Sequence, residues 1–112
     1  MAECIFCEIA ARRAPARLIY EDDLVVAFED VQPQAPLHAL VIPRRHLADA
    51  RQVNGDGVLD RIFEAAHTVA RERGVGDSGY RLVFNVGHDA GQAVDHAHLH
   101  VLGGRSLRWP PG

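Results

Sequence analysis

Three imidazoles at alternate positions, in His96-Ala97-His98-Leu99-His100-Val101-Leu102, are the residues of this sequence best equipped for chemistry. Alternate side chains of a β-strand share a face, so His96, His98 and His100 would line one side while Ala97, Leu99 and Val101 turn to the other. Imidazole ligates, donates, accepts or attacks near pH 7, so the stripe suits either a metal or an anion such as phosphate. A fourth histidine, His38, shares a face with Leu40 and Ile42 in the apolar run Leu37 to Pro43. Separately, Cys4-x-x-Cys7 has the spacing of half a zinc site, and His46 is a candidate third ligand. The alternative for the cysteines is a pair of small buried thiols on a helix.

A catalytic metal on the histidine stripe would want a carboxylate or an open water position, and the adjoining carboxylate, Asp95, has the opposite strand parity. A merely solvated stripe fits poorly, because Leu82, Phe84 and Leu99 need the other face of the sheet for a core. Nucleophilic attack on phosphorus fits better. It needs an attacking ring nitrogen, neighbours that fix its tautomer, and donors for the phosphoryl oxygens. The glycine-flanked stretch from Gly87 through Gly91 to Ala93 and Val94 can supply backbone N–H groups as an anion nest, and Asn85 an amide. His67 and His88 read as surface residues.

These groups need elements to carry them. Cys4 to Ala11 reads as a short helix with Ile5, Phe6 and Ile9 as its apolar patch. Arg17–Glu21 and Leu24–Glu29 read as a hairpin around Asp22-Asp23, and Leu37–Pro43 as a third strand that Pro43 stops. From Asn54 or Asp56 as N-cap to Gly74, the positions Leu59, Ile62, Phe63, Ala66 and Ala70 follow the helical period and predict one long helix. Tyr80–Val86 and the histidine segment supply two more strands, closed by Gly103-Gly104. The expected fold is α+β, an antiparallel meander of about five strands with the long helix on one face.

A chain of 112 residues, 47% hydrophobic, is one domain, here residues 1–112, with material for a real core. Net charge is −3 and the 12 basic residues are dispersed, so a nucleic acid is not the expected partner, and no apolar run approaches the roughly 20 residues that span a membrane. All 12 are arginine, which excludes lysine Schiff bases and P-loop lysines. Met1-Ala2-Glu3-Cys4 lacks the positive charge of a secretory signal, so the expected location is cytoplasmic.

Taken together, the motifs resemble the histidine triad (HIT) family, and within it the Hint branch. The likeness runs through Cys4-Ile5-Phe6, Tyr20-Glu21-Asp22, Pro33-Gln34-Ala35-Pro36, His38, Val41-Ile42-Pro43, His46, Asn85, Gly91-Gln92, His96 to Gly104 and the ending Trp109-Pro110-Pro111-Gly112. It implies a homodimeric hydrolase that cleaves the P–N bond of purine nucleoside 5′-phosphoramidates, AMP or GMP joined to an amine, with no cofactor in the chemistry. His98 would be the nucleophile that forms a nucleotidyl-histidine. His100 would bond the phosphate, and His38 and His96 would orient the strand and set the tautomer of His98. Asn85 and the Val94 N–H would hold the remaining oxygens.

The resemblance also implies a nucleoside pocket of Ile5, Phe6, Ile9, Phe28, Asp30, Val31 and Leu40, with Asp30 accepting the ribose hydroxyls. The C-terminal segment would reach the partner's site, making Trp109 a candidate for amine selectivity. Some relatives close a zinc site with the first triad histidine, which would make the set Cys4, Cys7, His46 and His96. Ala93 stands where several relatives carry a serine, so one phosphate donor is missing and leaving-group handling should change. Two other readings are a nucleotide-binding interaction module and a dinucleoside polyphosphate hydrolase; the latter, as in the Fhit branch, lacks this tryptophan-proline ending.

Overall fold

The computed structural model describes residues 4–112; the reading of Met1 to Glu3 as lacking a signal lies outside them. Helix α1 spans Ile5–Ala10, and the strands are β1 (Leu18–Glu21), β2 (Val25–Glu29), β3 (Leu37–Pro43), β4 (Tyr80–Phe84) and β5 (Leu99–Gly103); helix α2, Val58–Glu72, lies between β3 and β4. The five strands form one antiparallel sheet in the order β1-β2-β3-β5-β4. The first three strands follow one another as a meander. After α2 the chain reaches the far edge as β4, and β5 returns into the gap beside β3.

Asp22 shapes the first turn, its Oδ1 accepting from the N–H groups of Leu24 and Val25 at 2.8 and 2.9 Å. Period-2 alternation then assigns each side chain of the central strands to one of two layers. Val25, Ala27, Ala39, Val41, Leu99 and Val101 pack under α2, which contributes Ile62, Ala65, Ala66, Val69 and Ala70. Val26, Phe28, Leu40 and Ile42 face the other way, against Phe6, Ile9 and Ala10 of α1. Strand β3 is therefore buried along its whole length, which explains an apolar run interrupted only by His38.

Helix α1 has only six residues, too few to persist without tertiary anchors. Cys4 caps its N-terminus, the sulfur accepting from Cys7 N–H. Arg44, the residue after β3, caps its other end: Nη1 donates to Ala10 O at 2.9 Å, while Nε donates to Asp22 O and Nη2 pairs with Glu21. One guanidinium thus joins α1 to the first hairpin.

Three details correct the sequence reading. The N-cap of α2 is Gly57 at φ +74°, a left-handed residue with no side-chain cap, and neither Asn54 nor Asp56 takes that place. Leu59 is 37% exposed, and Val58, Ala65 and Val69 fill the helix stripe instead. Strand β5 begins at Leu99, so His96 and His98 precede the ladder. The reason is Pro43, which has no N–H to extend the pairing. Ala97 N–H bonds Leu47 O at 2.7 Å instead, and the segment still keeps its alternation, with Ala97 in the α2 layer and His96 and His98 beside Phe6. No helix among the described residues is long and apolar enough to cross a membrane.

Candidate functional site

A cavity of about 440 Å³ opens on the α1 side of the sheet. Ile5, Phe6 and Ile9 from α1 form one wall; Phe28, Asp30 and Val31 from the end of β2, with Leu40 of β3, form the other. Ala93, Val94, His98 and His100 close its polar end. Every residue expected in the nucleoside pocket therefore lines one space. Ile5 and Val31 are exposed at its mouth, whereas Phe6 and Phe28 are buried, with ring centroids 5.4 Å apart. Pro15, Ala16, Glu29 and Gln32 complete the lining and were not read from the sequence.

Register explains why four histidines meet. His100 lies opposite Leu40 and Val83, and His38 lies opposite Leu102, so His38 and His100 share the α1 face of adjacent strands. His38, His96 and His98 are buried and His100 is half-buried. Hydrogen-bond partners then assign each ring proton. Gln34 N–H donates to His38 Nδ1 at 2.9 Å, so the His38 proton sits on Nε2, which donates to His100 Nδ1 at 2.9 Å. The His100 proton is in turn on Nε2, 3.5 Å from Nδ2 of Asn85. Two donors side by side at the polar end of a cavity suit an anionic oxygen.

His98 is set differently. Its Nδ1–H donates to His96 O at 2.8 Å, leaving Nε2 unprotonated, the nitrogen that could attack. Phe6 packs edge-on against this ring at 5.2 Å. His96 donates Nε2–H to Pro43 O at 2.8 Å, which turns its Nδ1 lone pair toward the cysteines.

Burial and the neighbouring imidazoles push His100 down to about 4, and burial pushes His38 down despite the Asp30 carboxylate 3.4 Å away. His96 is lowered as well, chiefly by burial. At neutral pH these three rings are uncharged, which keeps a single proton on each and makes the tautomers above the working state.

The thiol cluster tests its metal. Cys4 Sγ lies 3.3 Å and Cys7 Sγ 3.5 Å from His96 Nδ1, and Cys7 Sγ lies 3.2 Å from His46 Nδ1. All four ligand atoms fall within 4.8 Å of one another. Bonds of about 2.3 Å to sulfur and about 2.0 Å to nitrogen at tetrahedral angles require S···N spacings near 3.5 Å, so the set fits zinc. Burial first, then Cys4, raises the Cys7 thiol to about 11, so a cation would have to displace its proton. A second cluster, Asp30, His38 and His100, is equally compact but fits no metal. Gln34 N–H occupies His38 Nδ1, so the ring must keep its proton on the nitrogen that would ligate.

Of the residues expected to bind substrate, three lie apart from the cavity lining. Asn85 sits just past β4, within reach of His100. Gly91, at φ +83°, ends a 3-10 turn over His88–Ala90 and serves the loop's path. Trp109 is 81% exposed and does not line the cavity of its own chain. Asp95, His67 and His88 are exposed. The sequence reading missed the roles of Gln34 and Gln92; the first acts through its main chain and leaves no compositional signal.

A sheet-borne pair of adjacent histidines, a third behind them and a fourth poised over an apolar cavity define a histidine-triad protein. The HIT domain family model matches residues 11–107, and the chain belongs to that family. It is 48% identical to an uncharacterized HIT-like protein of Synechocystis, over 100% of both chains. The structure of a HIT family hydrolase from Legionella pneumophila superposes with a TM-score of 0.94 at 47% identity, covering 98% of this chain and 100% of that one. A histidine triad nucleotide-binding protein from Candida albicans gives 0.85 at 29% identity, covering 96% and 83%.

Proposed function

We propose that this HIT protein is a phosphoramidase acting on purine nucleoside 5′-phosphoramidates, through His98. The observation that carries the reading is the His98–His96 hydrogen bond, because it occupies Nδ1 and leaves Nε2 of the central histidine as the nitrogen free to attack at the polar end of a nucleoside-sized cavity. The purine would lie between Ile5, Phe6 and Ile9 on one side and Phe28, Val31 and Leu40 on the other, since a flat ring needs two apolar faces. Asp30 would accept the ribose hydroxyls.

With the phosphate against His100 and Asn85, His98 Nε2 attacks phosphorus. The P–N bond breaks, and the amine departs with that electron pair and a proton from solvent. Water then attacks the nucleotidyl-histidine; its P–N bond breaks back to His98, and the nucleoside monophosphate leaves. His100 Nε2–H, Asn85 and the Val94 N–H would carry the charge that grows on the phosphoryl oxygens.

Cys4, Cys7, His46 and His96 would hold a structural zinc, which contributes folding energy and anchors α1 beside the histidine segment. Protein purified without chelator should carry close to one zinc per chain, and Cys7→Ser should lose it; well under one in the unaltered chain refutes the metal. A homodimer in the cytoplasm completes the reading, and the dimer is supported by the half-buried edge strand β4 and the exposed Trp109. Truncation after Ser106 should then alter amine preference more than stability.

Incubation with adenosine 5′-phosphoramidate and, separately, with a diadenosine polyphosphate tests the activity. AMP from the first alone is the expected result. AMP chiefly from the second would make the protein a dinucleoside polyphosphate hydrolase, and nucleotide binding without turnover would make it an interaction module.

A further inference from the structure

We infer that Gln92 is a positioning residue that builds the phosphate end of the cavity, an assignment that rests on the nucleotide reading above. Its carboxamide bonds at three points. The oxygen accepts from Gly87 N–H at 2.9 Å, and Nε2 donates to Val94 O at 2.9 Å and to Ala48 O at 2.8 Å. Gly87 opens the loop before the histidines, Val94 ends it, and Ala48 belongs to the stretch behind β3. One side chain therefore closes the loop on itself and fastens it to a segment 44 residues away.

The main chain reinforces the same brace, with Gln92 N–H donating to Gly87 O at 3.2 Å. Between this bond and the Nε2 bond to Val94 O, residues 92 to 94 are held at both ends, which fixes the peptide planes of Ala93 and Val94. Those two residues line the cavity next to His98 and His100. Among the described residues, Val94 N–H has no internal acceptor. Donors that stabilise a developing anion act best when their direction is set in advance, and a loop with a glycine at φ +83° has no such direction of its own. Gln92 does not line the cavity and its side chain makes no hydrogen bond to a histidine, so its influence should fall chiefly on the phosphate.

The test compares adenosine with AMP, which differ only by that phosphate. Dissociation constants for both are measured on the full-length protein and on Gln92→Met, which keeps the volume and removes all three bonds, and Gln92→Glu, which keeps an acceptor for Gly87 and removes both donors. Both variants should bind AMP at least about tenfold more weakly and adenosine within about twofold of the parent, and kcat should fall more than KM rises. Equal weakening of both ligands, or of neither, overturns the assignment.

Should Gln92→Met fail to fold, Gln92→Glu and the parent decide the matter. In the parent, the Ala93 and Val94 amides and the Gln92 side-chain NH2 should shift with AMP and stay in place with adenosine. Signals that ignore the phosphate overturn the inference. Absence of turnover with these AMP-specific shifts intact would sink the enzyme reading alone, whereas turnover with unmoved amides would sink the role of Gln92 alone.

Discussion

His98 Nδ1 lies 2.8 Å from the main-chain oxygen of His96, so a peptide group two residues upstream assigns the proton of the central imidazole. A carbonyl can only accept, and it cannot titrate. The backbone thus decides which ring nitrogen carries the proton of the neutral imidazole and leaves Nε2 as the other.

Loss of that nitrogen should separate binding from chemistry. His98→Ala is expected to lower turnover of adenosine 5′-phosphoramidate by about a thousandfold or more, since no other group in the cavity replaces the attacking lone pair. AMP affinity should stay within a few-fold, because the slot and the His100–Asn85 pair are untouched. Single-turnover kinetics with equilibrium AMP binding checks both halves; retained turnover would refute the role of His98.

The buried imidazoles make stability depend on acid. In the unfolded chain His38 and His100 take up protons near the ordinary pKa of about 6.5, whereas folded His100 resists to about 4 and folded His38 is also lowered. Above that ordinary value both states are neutral and the rings contribute no pH dependence. As pH falls from about 6.5 toward 4 the unfolded state binds more protons, so stability declines. The melting temperature should fall between pH 7 and 5, and His100→Gln should flatten part of that slope; an unaltered slope would contradict it.

Arg44 should govern the slot without touching the chemistry. Arg44→Met removes the donor to Ala10 O, the bond to Asp22 O and the pairing with Glu21, a loss of roughly 1–3 kcal/mol. Because Ala10 closes the helix that carries Ile5, Phe6 and Ile9, adenosine affinity should fall severalfold while kcat at saturation holds within about twofold. Titration calorimetry with steady-state kinetics measures the split, and an equal fall in kcat would show that Arg44 reaches the reacting atoms.

Ala93 tests the amine side. It is exposed, yet it lines the cavity beside Val94, His98 and His100, so a hydroxyl there would meet the phosphate end. Ala93→Ser should leave activity intact and change the ranking of amine leaving groups, each by no more than the roughly 1–3 kcal/mol of a charge-assisted hydrogen bond. A kcat/KM unchanged for every amine would remove any role for this position.

Much of this architecture was legible in the chain. Alternation in Leu37–Pro43 and around His98 placed four histidines on one face, and the spacing of Cys4 and Cys7 marked a thiol pair that lies against His46 and His96. Local chemistry was less dependable where a distant partner intervened. The start of β5 was misplaced because the Ala97 N–H is claimed by Leu47, and the N-cap of α2 fell to Gly57 because a left-handed backbone displaced two better side-chain caps. Gln92 stood out only within the Gly91-Gln92 motif, and its bracing role left no further signal, since its three partners are main-chain atoms of ordinary residues.

The sequence by itself determined which side chains exist and, through the two-residue period of a strand, which of them share a face. Only the tertiary structure decided which nitrogen of each imidazole carries the proton. His38 answers to Gln34, His96 to Pro43 and His100 to His38, 62 residues away, and a neutral imidazole has one proton for two nitrogens. Strand register and loop closure choose between them, and neither is contained in the identity of the histidines.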